Sequence, residues 1–121
     1  METLITFKTA KLAKEKGLKR SLYINGYLLG YSLKNEKPYP SGYKVFMSFP
    51  SEDKWLFAPT QSTLSNWLRE EYNIDVLINK TISGVYMYII WKGSEKIERK
   101  GRFYNYEKCL EIGLQEALNL I

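Results

Sequence analysis

The chain contains no histidine and one cysteine, Cys109. That removes the side chain best suited to proton transfer near neutral pH and leaves no recognisable set of metal ligands. A serine or threonine nucleophile would need Lys, Asp or Glu as its base, and no spacing in the chain sets up such a dyad. Glu70 and Glu71 are neighbours. On a helix they point about 100° apart and cannot flank one substrate as a catalytic pair. They read as solvated helix residues, with Arg69 beside them as the partner of a carboxylate one turn away. An enzyme is therefore not expected, and neither a metal nor another cofactor is implied.

The chemistry that remains is recognition, and three groups of residues offer it. Ala58 and Pro59 precede Thr60, Gln61 and Ser62 at the start of an expected helix, where backbone N–H groups and two hydroxyls form a candidate anion site. No glycine-rich loop precedes them, so P-loop chemistry is excluded; the same residues also make a plain capping turn. Nine of the 18 aromatic residues fall between positions 23 and 57. The tyrosines among them, Tyr23, Tyr27, Tyr31, Tyr39 and Tyr43, supply rigid contact area with a polar tip. With the nearby cations Lys11, Lys14 and Arg20 they form the candidate binding surface. The third group is basic: Lys92, Lys96, Arg99, Lys100 and Arg102 against Glu95 and Glu98. On an edge strand such charges deter pairing with other chains; facing the basic first helix, which carries Lys11 and Lys14, they would make a joint anion surface.

The elements that must position these groups follow from hydrophobic period and punctuation. Thr6 caps a first helix that buries Phe7, Ala10 and Ala13 and stops at Gly17. Asn25 and Gly26, between apolar and aromatic flanks, predict a β-hairpin over 22–29, because both central residues of a type I′ turn need positive φ. A Pro- and Gly-containing loop over 34–42 leads to an alternating strand over 43–49. Thr60 caps a second helix whose core face is Leu64, Trp67 and Leu68, and Asn73 closes it in the αL conformation. Ile74, Val76 and Ile78 alternate as a strand. The run 85–91, apolar or aromatic on both faces, is the expected central strand. Residues 96–102 form a charged edge strand, and Asn105 caps a last helix with the stripe Tyr106, Leu110, Gly113, Leu114, Ala117 and Ile121.

A chain of 121 residues, 45% hydrophobic and 26% charged, is enough for one core without disulfides or metal. The expectation is a single α+β domain over 1–121: an antiparallel sheet, about three helices on one of its faces, and a Tyr-rich hairpin insert at 21–57. The net charge of +5 attracts anions and also solubilises. The lone Cys109, in an apolar helical pattern, reads as a small buried hydrophobe in a reducing compartment. Neither a membrane span nor a signal peptide is legible, so a cytoplasmic protein is expected.

Residues 58–62 with Leu64, Trp67, Leu68, Arg69, Glu70 and Ile74 resemble the signature of a family of small uncharacterised phage and prophage proteins of gut bacteria. The segments 9–17 and 106–121, the latter containing Gly113, Leu114, Gln115, Glu116, Ala117 and Leu118, resemble the two ends of that family. Lys8 stands where relatives often carry an acidic residue, and Tyr72 where a histidine often precedes the Asn-Ile pair. The resemblance implies a phage-associated origin and one small α+β domain, and supplies no activity. The expected function is an accessory role in the bacterial host cytoplasm, binding a host or phage protein through the Tyr-rich insert. The alternative is binding of nucleic acid or a nucleotide signal, as in countering a host defence.

Overall fold

The computed structural model describes residues 3–18, 27–28, 30–37, 43–44 and 55–121. Their elements are α1 (Phe7–Glu15), β1 (Tyr27–Leu28), β2 (Gly30–Ser32), β3 (Tyr43–Lys44), β4 (Trp55–Phe57), α2 (Gln61–Tyr72), β5 (Ile74–Lys80), β6 (Tyr86–Lys92), β7 (Glu95–Phe103) and α3 (Tyr106–Leu118). Every described strand pair is antiparallel, which makes the class α+β. The chain divides into two compact units, one Leu4–Thr60 and the other Met1–Thr3 with Gln61–Ile121.

In the unit Leu4–Thr60, the Thr6 side chain accepts the Thr9 N–H and caps α1. Gly17, at φ +100°, closes the helix, with the Leu18 N–H returning to the Ala13 carbonyl at 3.0 Å in a Schellman arrangement. Thr9, Ala10 and Ala13 form the buried side of α1. β2 pairs with β4, setting Tyr31 opposite Leu56. The Tyr31 hydroxyl donates to the Ile5 carbonyl, and its ring meets Phe7 edge-on at 5.9 Å. The turn expected at Asn25 and Gly26 lies outside the described residues. Its downstream flank, Tyr27 and Leu28, pairs with Lys44 and Tyr43. Of the strand expected over 43–49, Tyr43 and Lys44 are strand and the rest lies outside the described residues. β4, too short to show a period, was not legible in the sequence.

In the other unit, α2 and α3 pack on one face of a three-stranded sheet with β6 at its centre and β7 at one edge. Ile74, Tyr88 and Ile90 from the sheet are buried, as are Leu64 and Leu68 of α2 and Cys109, Leu110, Leu114, Ala117 and Leu118 of α3. Each large apolar side chain so buried contributes about 1.5–3 kcal/mol. Asn73, at φ +56°, closes α2, and its carbonyl accepts the Gly93 N–H. Inside this core, the Gln61 amide donates to the Glu107 carbonyl at 2.9 Å and to Glu111 Oε1 at 3.0 Å. That polar tie joins the first turns of the two helices. Four stripe assignments need correction: Phe7, Trp67 and Ile121 are only half-buried, Phe7 resting edge-on against Tyr31 and Trp67 against Tyr72, and Tyr106 is exposed, resting edge-on against Tyr86. Arg69 is paired as expected of it, but with Asp75 at 2.6 Å, six residues on and across the helix-to-strand turn.

α3 lies close to the sheet at Gly113, where an added Cβ would stand 2.8 Å from Val76 Cγ1 and 3.1 Å from Tyr88 Cβ. Gly113→Ala gains up to about 1 kcal/mol of helix propensity but overpacks this contact, which typically costs about 1–3 kcal/mol. The expected outcome is a net loss of about 1–2 kcal/mol in urea unfolding, with Gly113→Val losing more.

Candidate functional site

Register fixes which side chains of the three-stranded sheet face the helices. Val76 and Tyr88 touch the α3 glycine, so Ile74, Val76 and Ile78, with their partners Lys92, Ile90 and Tyr88, belong to the covered face. The intervening pairs, Asp75 with Trp91, Leu77 with Ile89 and Asn79 with Met87, therefore form the opposite, more open face, on which Asn79 is exposed, Asp75, Met87 and Trp91 are half-buried and Ile89 is buried. Leu77 is 46% exposed there.

β7 extends that open face through two irregularities of register. Ile90 pairs with Glu98 while Trp91 pairs with Lys96, and Tyr88 pairs with Lys100 while Tyr86 pairs with Phe103. Each step inserts one extra residue in β7, a β-bulge. Gly101 sits in the second at φ +120°, with the Phe103 ring packed where a Cβ would be, so a side chain there is excluded. The consequence is a re-sorting of charge. In an unbroken strand, residues 96, 99 and 102 would alternate between faces. Here Lys96 pairs with Trp91 and Arg99 with Ile89 on the open face, and Arg102, preceding the covered-face residue Phe103, joins them. Glu98 and Lys100 are turned to the covered face with Ile90 and Tyr88.

Two of these cations are seated on soft partners of β6. Lys96 Nζ lies 5.8 Å from the Trp91 ring centroid, and Arg99 Nε lies 3.4 Å from Met87 Sδ. Among the described residues, none of Lys96, Arg99, Lys100 and Arg102 has a carboxylate within ion-pair distance, and the open face's acid, Asp75, is held by Arg69. The unit's charge is unevenly divided between its elements. Its strands carry six basic and three acidic residues, while α2 and α3 carry two basic and five acidic. At the turn between β5 and β6, Asn79, Lys80, Met87, Arg99 and residues 81–83 line an open depression of about 690 Å³.

The residues singled out from the sequence are distributed differently. Thr60 and Gln61 are buried; the Gln61 N–H donates to the Thr3 carbonyl at 2.8 Å and its side chain to α3, while Ser62 is exposed. Tyr31 is half-buried and tied to Ile5 and Phe7. Lys11 and Lys14 are exposed on α1. Tyr27 and Tyr43 lie in the paired strands β1 and β3, and Tyr23, Tyr39 and Arg20 lie outside the described residues. Of the third group, Lys96, Arg99 and Arg102 share the open face. That sharing was not legible, because period-two reading of β7 assigns them to alternate sides; the signal available was Gly101 inside a strand pattern, a mark of a bulge.

Nucleophilic chemistry finds little support in this unit. Burial pushes the Cys109 thiol above its ordinary value, which keeps it protonated at neutral pH and unreactive. Among the described residues no cluster of His, Cys, Asp or Glu could hold a metal ion, and no helix is long and apolar enough to cross a membrane. No family model matches the chain, and neither a curated protein nor a solved structure is significantly similar to it.

Burial, with Glu98 adding to it, pushes the Tyr88 hydroxyl up to about 12 from 10.0. The folded state therefore resists a deprotonation that the unfolded chain undergoes. This contribution to stability is full below pH 10, declines above it and is lost as the folded-state value is passed near pH 12. Tyr88→Phe should flatten that alkaline decline in urea titrations over the same pH window.

Proposed function

We propose that this chain acts by binding, and that its ligand is polynucleotide held through its phosphates on the open face of β5, β6 and β7. The observation that carries the reading is the alignment of Lys96, Arg99 and Arg102 on one face without acidic partners, beside the half-buried rings and thioether of Trp91 and Met87. Phosphate contacts of this kind give affinity without sequence reading. β-sheets and β-ribbons are established platforms for such contacts. The resemblance to phage and prophage proteins adds a setting, the cytoplasm of a bacterial host, in which occupying polynucleotide would counter a host defence. A second reading, a partner protein on the same face, draws on Leu77, which is 46% exposed beside Met87 and Ile89.

The two readings separate by salt. Three neutralised phosphates on a single strand imply an affinity loss of about 20-fold between about 50 and 200 mM salt, whereas apolar contact with a protein persists. Fluorescence anisotropy with labelled oligonucleotides is expected to show binding with that dependence. Replacing Lys96, Arg99 and Arg102 together by alanine is expected to abolish both the binding and its salt slope, with the melting temperature retained because all three side chains are exposed. Absence of binding by the wild-type chain at low salt would eliminate the polynucleotide reading.

A further inference from the structure

We infer that Tyr104 is a base-stacking residue, and that the polynucleotide this face takes is single-stranded; the inference rests on the polynucleotide reading above. The last paired row of the sheet is Lys80, Tyr86 and Phe103. Tyr104 projects just beyond it and is 86% exposed, with neither a ring nor a hydrogen-bond partner among the described residues. Its neighbours Tyr86 and Tyr106 instead pack edge-on at 5.8 Å, and Lys80 Nζ lies 5.9 Å from the Tyr86 centroid.

The backbone that presents Tyr104 is fixed on both sides. Phe103 is paired with Tyr86, and the Asn105 side chain accepts the Lys108 N–H at 2.8 Å to cap α3. A large exposed ring is thus carried on a two-residue junction between strand and helix whose backbone is already ordered before a ligand covers it. Arg102, on the open face, stands two residues before it in the chain, so the end of β7 and the junction after it carry a cation for phosphate and an exposed π-surface. Cation and ring side by side are the elements that hold single strands without sequence preference. A duplex keeps its base faces stacked on one another and offers that ring nothing but an end.

The test is equilibrium anisotropy with an oligothymidylate of about 16 nucleotides and a duplex of the same length, for the wild-type chain, Tyr104→Ala, Tyr104→Leu and Tyr104→Phe. Tighter binding of the single strand is expected. Tyr104→Ala and Tyr104→Leu should weaken it about ten-fold while leaving duplex binding unchanged, and Tyr104→Phe should retain it. Equal losses on both ligands, no loss with Tyr104→Ala, or a preference for duplex would overturn the stacking role while leaving the basic face intact. Failure of the wild-type chain to bind either form would overturn the polynucleotide reading itself, and this inference with it.

Discussion

The pairing of β7 with β6 is the constraint on which the rest of the open face depends. Antiparallel pairing ties each β7 side chain to one face of the sheet, and the two inserted residues near Ile97 and Gly101 change which ones those are. Without them Lys96, Lys100 and Arg102 would share a face with Glu98, and Arg99 would lie on the other. With them Arg99 takes the place of Lys100 beside Lys96 and Arg102, and Glu98 leaves that face together with Lys100. Gly101 permits the second insertion through its positive φ, and the Phe103 ring covers the space left by the missing side chain. A local backbone irregularity thereby decides the electrostatics of a whole surface.

That division of faces requires the helices to stay firmly on theirs. α3 approaches the sheet at Gly113, and Gln61 ties α2 to α3 through a buried carbonyl and a buried carboxylate. Removing Gln61 would leave polar groups in the core short of a donor, a deficit that costs about 1–3 kcal/mol. Of the acidic residues of α2 and α3, Glu70, Glu71 and Glu107 are exposed, whereas Glu111 is buried beside Gln61. The apolar stripes choose the inner faces, and the one carboxylate kept among them is held by a hydrogen bond.

Much of this was legible in the sequence, and the reasons differ by element. α1 and α3 declared themselves through Thr6 and Asn105, whose side chains cap the helices, and through apolar residues at helical spacing. β6 was legible as a central strand because both of its faces are covered or half-covered, which its unbroken apolar run requires. Trp67 and Tyr106 were misplaced because aromatic rings satisfy a helical stripe while resting at its rim against Tyr72 and Tyr86. β4 carries only three residues, too few for a period to register. The shared face of Lys96, Arg99 and Arg102 was hidden for a deeper reason: bulges break the period of two on which facing is read, and they are set by pairing with residues elsewhere in the chain.

The central proposal is that a polyanion binds the face carrying Lys96, Arg99 and Arg102. The most direct measurement is an NMR titration of the amide resonances with single-stranded oligonucleotide. The account predicts perturbations concentrated on Leu77, Met87, Ile89, Trp91, Lys96, Arg99 and Arg102, with α2 and α3 silent. Perturbations confined to the helices, or none at concentrations where the basic face should be saturated, would contradict it.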